Sequence, residues 1–237
     1  MDNYLTLLSF GDQGWSDEIA QGVFVTVSLA LATLPVGLFL GFLIALAKQS
    51  EEWALRTSAE IYTTIFRGLP ELLTLFLVYY GMQIGIQQAL KALGFESYIE
   101  INAFLAGIIA LALVFSSYAS EVFLSAFRAI PQGQYEGGYA LGLRYRPVMR
   151  MIILPQLIRI ALPGLGNLWM ILLKDTALVS AIGLADIIRQ SGVAGRNTKE
   201  AFLFYGIAFL LYLVLALLSS IALGRIEAYG KRGEQTS

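Results

Sequence analysis

Four stretches of this chain carry no charged residue: Gly22–Ala47, Leu72–Leu90, Ile101–Ser120 and Ala201–Gly224. Each is about as long as the roughly 20 apolar residues a helix needs to cross a bilayer. Inside hydrocarbon, backbone N–H and C=O groups must find partners within their own segment, so such runs fold as helices. A fifth stretch is interrupted. Ile160–Leu173 is apolar, Lys174-Asp175 follows, and Thr176–Ala185 is apolar again. The pattern predicts an all-α membrane protein with about five transmembrane helices, the fourth of them broken. The second helix could begin upstream of Leu72, near Ile61. Only 14% of residues are charged, against about 25% in a soluble domain.

The distribution of Arg and Lys predicts the orientation. Residues 1–47 contain neither, which also removes the basic n-region of a signal peptide. Arg128, Arg144, Arg146, Arg150 and Arg159 lie between the third and fourth spans, and Arg225, Lys231 and Arg232 follow the last. The expected arrangement has the N-terminus outside and the C-terminus in the cytoplasm. Arg189, Arg196 and Lys199 make the last outer loop more basic than this rule prefers.

Composition also narrows the chemistry. The chain has no Cys and no His, which removes disulfides, Ser-His triads, thiolate nucleophiles and the common zinc motifs. A net charge of −1 gives no basic footprint for nucleic acid. No G-x-x-x-x-G-K-[ST] sequence is present. The only Gly-Lys is Gly230-Lys231, followed by Arg232. Without that phosphate cradle, the chain is not expected to hydrolyse ATP by a P-loop of its own.

The polar segment from Arg128 to Pro155 is too long for a simple turn. Tyr135–Leu141 can form a short helix whose Gly137, Gly138 and Ala140 leave part of its surface bare. Gly142 is placed to end it in a left-handed conformation. Pro147 suits the first turn of a second helix, Val148–Leu154, and Pro155 is expected to disrupt that helix. Local physics alone leaves open an ordinary re-entry loop with its arginines at lipid headgroups.

The spacing of Glu136, Gly142, Ile152, Leu154 and Pro155 resembles the signature loop of permease subunits of bacterial ABC importers, E-A-A-x3-G-x9-I-x-L-P. Gly137-Gly138 stands where that family usually has two alanines. Arg67-Gly68-Leu69-Pro70, Tyr118 with Glu121, Arg128-Ala129-Ile130-Pro131 and Lys174-Asp175-Thr176-Ala177-Leu178 resemble the family's polar amino-acid branch. Within it the likeness is to the histidine, lysine/arginine/ornithine and octopine or nopaline type. The resemblance implies a type I importer transmembrane domain over 21–226, with a cytoplasmic coupling loop at about 128–160. Residues 1–20 would then be an extracytoplasmic segment and 227–237 a cytoplasmic tail. It further implies a multi-pass protein of the bacterial inner membrane. The expected partners are a dimer of ATP-binding subunits that holds ATP and Mg, a second homologous permease (a heterodimer), an extracytoplasmic amino-acid-binding protein and membrane lipid. Neither a metal nor any other cofactor is expected on this chain. The loop of Glu136, Gly137, Gly138, Gly142, Ile152, Leu154 and Pro155 would dock the ATPase.

Charges inside a bilayer are functional candidates by default. Lys174 and Asp175 lie near the middle of the fourth span. They would hold substrate or gate its path, or Lys174 would bond a carboxylate on a neighbouring helix. Glu71 would attract a basic substrate, or pair with Arg67 four residues earlier. Glu121 is expected to end the third span in an ion pair with Arg128. Tyr79 and Tyr80 would stack on a ligand cation, or pack between helices. Gly37-x3-Gly41 and Gly81-x3-Gly85 suggest close helix contacts. The alternative to an ATP-driven importer is a passive channel or an ion-coupled carrier for small polar solutes.

Overall fold

A computed structural model describes residues 6–11, 14–95 and 99–231, with side chains through Tyr229. The outermost parts of the expected terminal segments, 1–5 and 232–237, lie outside the described residues. Every described element is helical: α1 (Ser16–Lys48), α2 (Trp53–Gly68), α3 (Glu71–Ala92), α4 (Ala103–Ala129), α5 (Gln132–Ala140), α6 (Tyr145–Val148), a π-helical turn (Met149–Ile153), α7 (Leu154–Asp175), a 3-10 segment (Thr176–Ile182), α8 (Ile187–Thr198) and α9 (Ala201–Lys231). Among them α1, α4, Tyr145–Ile182 and α9 are long and apolar enough to cross a membrane. The α2–α3 pair makes up to five if it counts as one bent span.

Helix α4 is the centre of the bundle and is buried along most of its length. Its closest partner is α1, and glycine sets the approach. A Cβ at Gly37 would stand 2.5 Å from the Phe115 ring, and one at Gly41 2.8 Å from Ala119 Cβ. The first expected glycine pair is therefore a packing seam. The second is not, since nothing lies within 4 Å of a Cβ at Gly81 or Gly85. Helix α9 carries the opposite surface: Phe209, Leu213, Leu217 and Ile221 are exposed.

The second span departs from expectation. No continuous helix runs from Ile61 to Leu90. Helix α2 ends at Gly68, and α3 leaves it at 109°. Proline disfavours helical geometry in the residue before it. Accordingly Leu69 is extended, with ψ 144°, ahead of Pro70. The fourth span is broken where the sequence suggests: α-helical geometry gives way to 3-10 at Thr176, directly after Asp175, and the segment stops at Gly183, φ 95°. Gly164 and Gly166 lie inside an unbroken α7.

Candidate coupling loop and translocation path

The loop between α4 and α7 is built as a short helix with a defined stop. Helix α5 ends with Leu143 N–H donating to Gly138 O at 3.2 Å and Gly142 N–H donating to Tyr139 O at 2.9 Å. Gly142 lies in the left-handed region at φ 77°. This pair of bonds around one left-handed residue is a Schellman ending. It reverses the chain tightly, so that α5 lies back on the π turn. Gly138 is the buried contact, facing Val148 and Ile152, while Gly137 faces open space. The Gln156 amide donates to the Gln134 side chain at 3.1 Å and ties α5 to α7.

Glu136, Tyr139, Leu141 and Tyr145 are exposed on the outer surface of this turn. Among the described residues no ion pair engages Glu136. Burial, helped by the nearby Tyr145 and Tyr139 phenols, raises the pKa of the Tyr135 phenol. Ile152 is half-buried against the core. Leu154 packs beside it, and Pro155 is exposed.

Pro155 does not break the re-entering helix. The chain runs from α6 through Met149–Ile153 into α7, and Leu154 N–H reaches back to Met149 O, five residues away. Proline lacks an N–H and crowds the carbonyl four residues before it. The wider π turn just ahead of Pro155 moves that crowding out of register, so the helix continues.

The candidate path charges are partly brought together. Glu71 is the first residue of α3, and α3 packs against the 3-10 segment that starts after Asp175. Asp175 lines a narrow cleft with Phe115, Tyr118 and Leu172. Lys174 is exposed, and no described carboxylate pairs with it, so the structural partner considered for it is not found. Tyr79 packs edge-on against Tyr80 at 5.2 Å between ring centres. Gln83 and Gln87 donate to Ile99 O at 2.7 and 3.1 Å and pin the loop before α4.

Two expected ion pairs are corrected. Glu121 does not pair with Arg128 and does not end a span, since α4 continues to Ala129. It accepts instead from Lys48 at the end of α1 and from Arg67 at 3.1 Å. Arg67 therefore turns away from Glu71 and also stands 5.7 Å over the Tyr118 ring. Sequence reasoning missed Lys48 in this role, although it is the first cation to follow the first span.

Asp186 was missed as well. It is fully buried and caps α8, its Oδ1 accepting from Arg189 N–H at 2.9 Å. Burial pushes its carboxyl up to about 6, against the lowering effect of the backbone N–H groups and the Arg189 charge. An Asp after Gly183 and ahead of a helical run is a readable cap signal.

Residues 18–228 match the family described as "binding-protein-dependent transport system inner membrane component". The chain is 40% identical over 230 residues to the nopaline transport system permease protein NocQ of Agrobacterium fabrum, covering 97% of this chain and 98% of that one. It is 38% identical over 214 residues to the histidine/lysine/arginine/ornithine transport system permease protein HisQ of Salmonella typhimurium, covering 90% and 93%. Among solved structures, an amino acid ABC transporter crystallised with histidines aligns with a TM-score of 0.77 at 33% identity, over 91% of this chain and 95% of that one. The MetNI methionine ABC transporter shares the fold, with a TM-score of 0.70 at 17% identity, over 90% and 96%.

Proposed function

The chain belongs to the family of binding-protein-dependent transport system inner membrane components, and from that membership together with the α5 geometry we propose how it works. It is a multi-pass permease subunit of an ATP-driven importer in the inner membrane, and it acts with an ATPase and a second permease subunit. The proposed cargo is a polar, basic amino acid or an opine, the class named for its relatives. A passive channel or ion-coupled carrier leaves the α5 loop without a role.

The observation that carries the proposal is the Schellman-terminated helix α5, which presents Glu136, Tyr139 and Leu141 to solvent from a fixed base. A docking helix must transmit force, and a short helix anchored through Gly138, Val148 and Ile152 can pass motion into α7. The α5 surface meets the ATPase on the cytoplasmic side, with the N-terminus outside. ATP and Mg are held by the ATPase, and closure of its dimer shifts α7 and with it the break at Asp175–Thr176. A binding protein delivers the cargo from outside. Lipid covers the apolar face of α9.

In the path, Glu71 and Asp175 are two carboxylates beside a helix break, where freed backbone groups can also meet a charged cargo. They favour a cation, and the neighbouring Lys174 lies within reach of a cargo carboxylate. Tyr79 belongs to the aromatic wall of α3. The experiment is reconstitution of the importer with Glu71→Gln, followed by arginine and glutamine uptake. Loss confined to arginine supports the charge reading, while equal loss or no loss refutes it.

A further inference from the structure

Helix α2 is held in place by polar contacts more than by apolar packing. It buries only Ala59 and Thr63. Two side chains fasten it to α4. The Tyr62 hydroxyl meets Leu113 O at 3.1 Å and Ser116 Oγ at 2.8 Å. Arg67 reaches Glu121 at 3.1 Å and stands over Tyr118. These fastenings are five residues apart, or about 7.5 Å along the axis. Two points so spaced fix the direction of a rod. Immediately beyond Arg67 the chain turns through 109°, and nothing lies within 4 Å of a Cβ at Gly68. The first residue after the turn is Glu71.

Glu121 is itself held. It also receives Lys48, whose side chain is only 8% exposed. The carboxylate cannot swing away without stranding a buried ammonium. We propose that Glu121 is a positioning residue: through Arg67 it fixes the α2–α3 turn and so sets where Glu71 opens α3, which packs against the 3-10 segment that follows Asp175. Cation selectivity then depends on a carboxylate that never touches the cargo. This rests on the reading of Glu71 as a cargo-facing group, and the experiment separates the two.

The test uses the complete permease–ATPase complex and measures equilibrium binding of arginine and of glutamine. Glu121→Gln alone would leave Lys48 buried and unpaired, so the informative variant is Lys48→Met with Glu121→Gln. It removes the buried Lys48 charge together with the Glu121 charge, 33% exposed, and leaves only Arg67, 44% exposed, without its partner. Arginine binding is expected to weaken roughly tenfold, equivalent to about 1.4 kcal/mol, with glutamine binding unchanged. Glu121→Asp should recover much of the loss. Because this chain has no native cysteine, Leu73→Cys and Ala181→Cys accept spin labels on α3 and on the 3-10 segment. The distance between labels should shift and broaden in the paired variant and hold in Glu121→Asp. If the paired variant does not assemble, Arg67→Lys keeps the charge but loses the planar fork, and it should move both readouts in the same direction. An unchanged label distance, or equal loss of both ligands, overturns the proposal. If Glu71→Gln leaves arginine binding intact while the labels still move, the reading of Glu71 fails and the positioning role survives.

Discussion

Gly137 and Gly138 are neighbours on one short helix, yet alanine should stabilise the helix at the first and not at the second. At Gly137 a Cβ meets nothing within 4 Å. Replacing glycine by alanine in a helix stabilises it by about 1 kcal/mol. That amounts to roughly fivefold slower local opening, since 1.4 kcal/mol is tenfold. At Gly138 a Cβ falls 2.8 Å from Val148 Cγ2 and 3.0 Å from Ile152 Cδ1. The Ile152 tip can rotate away. Val148 is fully buried, and its branched side chain is stiff. Overpacking costs about 1–3 kcal/mol, so Gly138→Ala should lie between neutral and about 2 kcal/mol destabilising after the same propensity gain. Amide hydrogen exchange over residues 132–143 in the assembled importer reads both effects, because it reports local opening. Slower exchange in Gly137→Ala with unchanged or faster exchange in Gly138→Ala is expected. Equal slowing in both variants would refute the packing assigned to Gly138.

Three further outcomes are expected. Gly142→Ala forces a side chain into the left-handed region at φ 77°; it should cost about 1–2 kcal/mol, seen as faster exchange in α5 and weaker ATPase stimulation. Asp186 is protonated in folded and unfolded chains below its ordinary value of 3.8 and ionised in both above about 6. Its burial therefore weakens the fold as pH rises between those values, by up to roughly 3 kcal/mol. Asp186→Asn keeps a capping oxygen and should abolish that slope in the stability of α8, measured by hydrogen exchange at pH 4.5 and 7. Reporter fusions should place residue 15 outside and residue 229 inside; the reverse assignment would remove the cytoplasmic position required of α5.

The sequence made some features plain and hid others for physical reasons. Charge-free runs marked α1, α4 and α9 because only helices satisfy the backbone in hydrocarbon. Gly142 and the Asp175–Thr176 break were visible because each lies in local chemistry. Helix α2 was hidden: Arg56, Glu60 and Arg67 interrupt its apolar pattern, and its helix is amphipathic and largely exposed. The Pro155 reading failed because a π turn is a cooperative adjustment with no residue signature of its own. Glu121 was assigned to Arg128, seven residues on, but two helical turns separate residues by about 10.5 Å along the axis, too far for a side-chain pair. Its actual partner Lys48 is 73 positions away in sequence, a distance that only packing reveals. The path residues were individually legible as charges in apolar surroundings, whereas the packing of α3, which Glu71 opens, against the segment after Asp175 was not, because it depends on the angle of a turn.

The most direct test of the central claim is purification of this chain with its partners after Glu136→Arg plus Gly142→Leu, followed by assays of co-purified ATPase and of uptake. The account predicts that the variant still inserts in the membrane but loses the ATPase and ATP-driven arginine uptake together. Retained ATPase with wild-type uptake kinetics would contradict it, because force would then be reaching α7 by a route other than α5.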